Sequence, residues 1–274
     1  MTGLSDSFQR PINYLRISVT DRCNLRCIYC MPSAGVPLRP HRDILTYEEI
    51  YTIARAATEL GIDKVRITGG EPLVRSGLAE LIRVLAQINA INDISLTTNG
   101  ALLSQYAAEL KSAGLKRVNV SLDTLRQDKF ERITRSGQNL GDVLEGIKVA
   151  RVVGLNPVKL NMVVMAGIND DELLDFAAKT LDEEWHVRFI ELMPVVGESA
   201  TASQFIPVSE VRKRLEVLGE LEPCLPTAGN GPAKYFRFAH ARGTIGFISP
   251  ISEHFCVHCN RLRLTADGRL RPCL

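Results

Sequence analysis

Six short β-type segments at 15–20, 64–68, 93–97, 117–121, 158–164 and 187–192 alternate with helix-type segments. The first helix is the best marked. Thr46-Tyr47-Glu48-Glu49 reads as a capping box, Ile50, Ile53, Ala54, Ala57 and Leu60 share a helical face, and Gly61 stops the run. Further helices are expected at 77–88, 102–113, 140–153 and 170–182, with Gly114 and Gly154 closing two of them. Strands alternating with helices of this length predict a parallel sheet, because a parallel connection needs a crossover. Six units without a long break favour a partial (βα)6 barrel over a short open sheet.

Polar and special residues gather just behind the strands: Asp21-Arg22-Cys23, Gly69-Gly70-Glu71-Pro72, Thr98-Asn99-Gly100, Asp123 and Met193-Pro194. Both barrels and doubly wound sheets place their chemistry at that end. From about residue 201 the pattern changes. A helix at 208–218 is followed by a Pro- and Gly-rich loop, strand-like stretches at 235–238 and 244–248, and alternating residues on both sides of Ala266-Asp267-Gly268, a hairpin signal. The expected division is therefore 1–200 for the β/α part and 201–274 for a C-terminal extension. Lys plus Arg number 33 against 31 Asp plus Glu, which points to neither nucleic acid nor a membrane surface. No apolar run nears the roughly 18 residues that span a bilayer, and Met1–Asp6 has no signal-peptide character. A cytoplasmic protein is expected.

Seven cysteines carry the chemistry. In a reducing cytosol, clustered cysteines are more often metal ligands or catalytic thiols than disulfides. Cys23-x3-Cys27-x2-Cys30 offers three thiolates at the end of the first strand, with Tyr29 just before the third. A cubane [4Fe–4S] cluster held by three cysteines keeps one iron open for a small molecule. Structural zinc completed by His41, or three unrelated buried thiols, are the alternatives. Cys256-x2-Cys259-x13-Cys273 forms a second trio. If 266–268 is the turn, Cys273 falls opposite Arg261, so the three thiols can meet. Here a Cys3His zinc site using His254 or His258 stays open. Cys224, between Pro223 and Pro226, reads as a loop residue without a role.

The first trio with Gly69-Gly70-Glu71-Pro72 resembles the radical S-adenosylmethionine (SAM) superfamily. The resemblance implies that the open iron binds SAM and cleaves it reductively to a 5′-deoxyadenosyl radical, with Gly-Gly-Glu-Pro at the SAM amino group. Paired glycines would let backbone approach the ligand. The string Cys259-Asn260-Arg261-Leu262-Arg263-Leu264-Thr265, with Asp267-Gly268 and Arg271-x-Cys273, is similar to the branch of that superfamily that opens molybdenum-cofactor biosynthesis. That branch implies a lyase with a second [4Fe–4S] cluster on Cys256, Cys259 and Cys273. Its radical removes the C3′ hydrogen of GTP and C3′ closes onto guanine C8.

By the same resemblance, Arg16, Arg66, Thr97, Lys159, Arg261, Leu262 and Arg263 bind GTP, and Lys64 and Arg188 line the same cavity. Tyr29, Gly70, Ser121 and Met193 contact SAM, with Asn99 and Asp123 at its ribose and methionine. The implied partners are a reductant such as flavodoxin or ferredoxin and a downstream pyranopterin monophosphate synthase, with a homodimer allowed. Family members continue for several tens of residues to a Gly-Gly tail, so this chain is expected to be cut short and its turnover impaired. The other readings are a twin-cluster radical SAM enzyme acting on a peptide, or a non-enzymatic iron–sulfur or zinc module.

Overall fold

Alternation along the strands of a computed structural model, which describes residues 3–5, 9–194, 203–229 and 231–273, separates an apolar face of the sheet from a polar one. The elements in chain order are β1 (Tyr14–Ser18), α1 (Tyr47–Glu59), β2 (Lys64–Thr68), α2 (Leu78–Ala86), β3 (Asp93–Thr98), α3 (Leu103–Ser112) and β4 (Arg117–Ser121). Then come α4 (Gln127–Thr134), α5 (Leu140–Val152), β5 (Lys159–Val164), α6 (Leu173–Asp182), β6 (His186–Glu191) and α7 (Val208–Leu215). The chain finishes with β7 (Leu221–Pro223), β8 (Lys234–Phe238), β9 (Thr244–Ile248), β10 (Arg261–Leu264) and β11 (Leu270–Arg271). The capping box at α1 is present: Glu49 N donates to Thr46 Oγ1 and Thr46 N donates to Glu49 Oε2. α4 was not expected, because QDKFERIT is short and too polar to show an apolar stripe.

All strands join one sheet in the order β11-β10-β1-β2-β3-β4-β5-β6-β9-β8-β7. β1 to β6 are parallel to their neighbours, as the crossover argument requires. The segment after residue 203 does not stand apart. Its β9 adds in parallel beside β6 and its β10 in parallel beside β1, so it extends both edges. β10 and β11 form the expected hairpin, with Arg263 opposite Arg271; carrying that register on places Cys273 opposite Arg261.

Leu15, Ile17, Val65, Ile67, Ile94, Leu96, Val118, Val120, Leu160, Met162, Val187 and Phe189 point to the helices and form one apolar core with them. Burying such side chains contributes about 1.5–3 kcal/mol each. The intervening positions face the other way and are almost all polar. Matched by register, they form rows: Arg263, Arg16, Arg66, Ser95 and Arg117, then Thr97, Asn119, Lys159, His186 and Thr244.

Candidate active site between two cysteine triads

Cys23, Cys27 and Cys30 lie on the loop behind β1, at the C-terminal ends of the parallel strands. Two buried glutamate and aspartate carboxyls organise this end. Glu71 accepts from Leu73 N (3.0 Å), Thr98 Oγ1 (2.7 Å) and Asn99 N (2.7 Å), tying the ends of β2 and β3 together. Asp123 accepts from Tyr29 Oη (2.8 Å) and Val163 N (2.8 Å), which fixes the aromatic ring beside the cysteines. Asn99 Nδ2 donates to Asn24 Oδ1 inside the cysteine loop (2.8 Å). Asn99 and Asp123 therefore work here as tethers of the loop.

The glycine pair has a reason that the sequence did not show. A Cβ on Gly70 would lie 2.3 Å from Arg22 O, and one on Gly69 would lie 2.9 Å from Thr20 O. The space is filled by the backbone entering the cysteine loop, with Gly70 N bonded to Thr20 O (2.8 Å) and Glu71 N to Arg22 O (2.8 Å). Close approach is indeed what the glycines permit, but the approaching group is the protein's own chain.

The thiols of this trio are pushed up. Burial is the first cause for all three; Glu71 and Cys30 add to it at Cys23, Asp123 and the other two thiols at Cys27, and Asp123 at Cys30. Three such thiols ionise together only around a strongly positive core. Among the described residues no three His, Cys, Asp or Glu side chains converge on one point. Three cysteine thiolates on one loop are the ligand type of a cubane cluster, whose irons each take a separate thiolate.

The second trio sits at the opposite end. Parallel pairing sets Arg261 beside Tyr14, the first residue of β1, so Cys256 and Cys259 precede β10 at the strand starts. Burial pushes Cys259 up, but Arg261 and Arg10 outweigh it and hold the thiol below its ordinary value. Burial and then Arg261 pull Arg263 down, against the opposing help of Cys273 and Cys259. His254, a candidate zinc ligand, turns Nδ1 to Pro250 O (3.1 Å); the side chain of His258 lies outside what is described.

Between the triads the polar face is strongly cationic. Burial and the charges of Arg263, Arg66 and Arg261 pull Arg16 down to about 9. Burial brings Arg66 to about 10, against the help of Tyr14, with Arg188, Arg117 and Arg261 adding to the depression. Burial, then Arg188, Arg117 and Arg66, bring Lys159 to about 6. Arginine keeps its proton at neutral pH, so these depressions report cations crowded without enough anions. Asp93 pairs with Arg117, and Asp63 sits 3.6 Å from Lys64; among the described residues Arg16, Arg66, Lys159, Arg188 and Arg263 form no ion pair. Arg16 Nε, Arg188 Nε, Arg263 Nε and Thr97 Oγ1 are buried without a hydrogen-bond partner.

The structure thus brings Arg16, Arg66, Thr97, Lys159, Arg188, Arg261 and Arg263 onto one face, with Lys64 at the start of β2. Leu262 is not among them. It pairs with Leu15 and packs its side chain on the apolar core, so only its backbone can reach the polar side. Tyr29 is at the first trio; Ser121 is the last residue of β4, beside Asn161 of β5, and Met193 follows β6. Sequence reasoning missed Arg117, Asn119, Asn161 and Tyr235. Strand parity was the available signal for three of them, since RVNVS places Arg117 and Asn119 with Ser121, and KLNMVV places Asn161 with Lys159.

The family model of the radical SAM superfamily matches residues 17–179, and that of Molybdenum Cofactor Synthesis C matches residues 185–274. SuiB from Streptococcus suis, solved with S-adenosylmethionine, aligns over 96% of this chain and 58% of its own with a TM-score of 0.64 and 16% identity, which shows a shared fold. The fold is that of a radical SAM protein. GTP 3′,8-cyclases from Moorella thermoacetica (56% identity over 271 residues) and Pelotomaculum thermopropionicum (57% over 273) are far more similar, each covering 99% of this chain, which spans 84% of their length. The chain belongs to the GTP 3′,8-cyclase family within that superfamily.

Proposed function

We propose that this chain cyclises GTP between C3′ and guanine C8, the entry step of molybdenum-cofactor biosynthesis, with SAM and two [4Fe–4S] clusters as cofactors. The observation that carries the reading is the cationic sheet face set between two cysteine trios. GTP brings about four negative charges on its triphosphate, and the buried cations of this face lack matching carboxylates. In this reading Arg16, Arg66, Lys159, Arg188 and Arg263 hold the phosphates, Thr97 and Lys64 line the cavity, and Arg261 sits nearest the second trio. Cys23, Cys27 and Cys30 hold the cluster that faces SAM, beside Tyr29, Gly70, Ser121 and Met193. Cys256, Cys259 and Cys273 hold the other, facing the purine.

When bound, the first cluster and SAM supply an alkyl radical that removes hydrogen from the sugar. The protein's part is position and shielding. The cations fix the triphosphate, so the ribose is presented toward the strand ends where Tyr29 and Asp123 lock the cysteine loop. A sheet curled into a partial barrel would close this space. The reading also takes 1–200 as the catalytic part and 201–274 as the carrier of the second cluster. An external one-electron reductant such as flavodoxin or ferredoxin, and a consuming pyranopterin monophosphate synthase, complete it. A reducing cytoplasm suits seven free cysteines, and among the described residues no helix is long and apolar enough to cross a membrane.

The test uses GTP carrying deuterium at C3′. Reconstituted, reduced protein with SAM should yield deuterated 5′-deoxyadenosine and a cyclised nucleotide. Deuterium-free 5′-deoxyadenosine, with GTP recovered intact, would refute the assignment.

A further inference from the structure

Arg188 crosses two strands and ends on a neutral partner. It starts on β6, next to Asn161 of β5 in the sheet register, and its Nη2 donates to Asn119 Oδ1 on β4. Asn119 has no solvent exposure, and its own Nδ2 donates to Leu96 O of β3 at 3.0 Å, which fixes the oxygen toward the guanidinium. On the other flank, Gly246 of β9 makes the path possible: a Cβ there would lie 2.8 Å from Arg188 Cγ. Arg188 itself is 4% exposed, with Nε buried and unpartnered. Its near neighbour is another basic side chain, Lys159, whose Nζ bonds among the described residues to two neutral oxygens, Ala228 O and Tyr235 Oη.

A buried arginine held by an amide is unusual in its energetics. The amide accepts one N–H bond but leaves the charge uncompensated, where an aspartate of the same shape would neutralise it. The amide orients the arginine and keeps its charge available.

We propose that Asn119 is a positioning and specificity-determining residue for the polyanionic substrate, aiming Arg188 into the cavity while leaving its charge for a phosphate group. This rests on the reading that GTP is the substrate. It makes two demands on the side chain at 119: an acceptor facing Arg188, and no negative charge. Asn119→Asp satisfies the first and breaks the second, placing a built-in carboxylate where the substrate's phosphate would be the counter-charge.

The experiment is a double-mutant cycle on GTP affinity, measured by calorimetry on the cluster-loaded protein with wild type, Asn119→Asp, Arg188→Met and the double variant. Each single change should weaken GTP binding by about tenfold or more. The double variant should bind no more weakly than Arg188→Met alone, because Asn119 acts through Arg188. SAM affinity should stay within about twofold throughout, which damage to the fold would not allow. Asn119→Ser, which keeps a neutral acceptor, should retain more GTP affinity than Asn119→Asp. Unchanged GTP affinity in Asn119→Asp, or losses that simply add in the double variant, would overturn the proposal. Failure of the wild type to bind GTP would instead overturn the substrate assignment on which it rests.

Discussion

Gly70 and Lys159 show how single positions bind the site to the fold. At Gly70 a methyl group would meet the carbonyl of Arg22, which cannot move without carrying the cysteine loop with it. Gly70→Ala should cost about 1–3 kcal/mol, seen as a lower Tm, and should reduce the iron retained by Cys23, Cys27 and Cys30. Normal stability with full iron loading would mean that the close approach is unimportant. Lys159 titrates near 6 in the folded chain against an ordinary 10.5, because burial and then Arg188, Arg117 and Arg66 disfavour its charge. Between those values the unfolded chain holds a proton that the folded one lacks, so stability without ligand should rise with pH across that window through this group. A bound triphosphate supplies the missing anion and draws the proton back. Calorimetry near pH 7.5 in buffers of different ionisation enthalpy should therefore show proton uptake on GTP binding, and Lys159→Met should abolish most of it. Uptake unaltered by that substitution would assign the proton elsewhere.

At the scale of elements, the hairpin of β10 and β11 decides whether the two halves of the site meet. Arg261 and Arg263 reach the polar face because Leu262 and Leu264 anchor the opposite face, and Leu264 is 2% exposed against the core. Leu264→Ala should cost about 2–5 kcal/mol and loosen β10 from β1. Iron should fall from about eight toward about four per chain and GTP affinity should drop, while SAM binding persists. Retention of all the iron would show that the hairpin does not depend on this anchor. The hairpin, the strands and the capped first helix were legible because each rests on local periodicity or a turn residue. α4 was not, since its short polar sequence is helical only once Phe130 and Ile133 are buried by their surroundings. The union of β9 and β10 with opposite edges of one sheet was equally hidden, because no local signal tells a strand which edge it will join.

Across the whole molecule the sheet acts as a partition, with apolar packing against helices on one side and uncompensated positive charge on the other. The bulk balance of 33 cations against 31 anions conceals this, since the carboxylates are spent on helix surfaces and loop tethers such as Glu71, Glu172 and Glu191. The cysteine trios were readable from spacing, and their placement at opposite ends of that charged face was not, because it depends on β10 running parallel to β1. The proposed reaction requires a polyanion lying between these ends, touching the chemistry of both. Replacing Cys256, Cys259 and Cys273 together with serine, then measuring iron content and the affinities for GTP and SAM on the same sample, tests it most directly. About half the iron should be lost and GTP should bind at least about tenfold more weakly, with SAM affinity intact; full GTP affinity in a protein that has lost that iron would contradict the account.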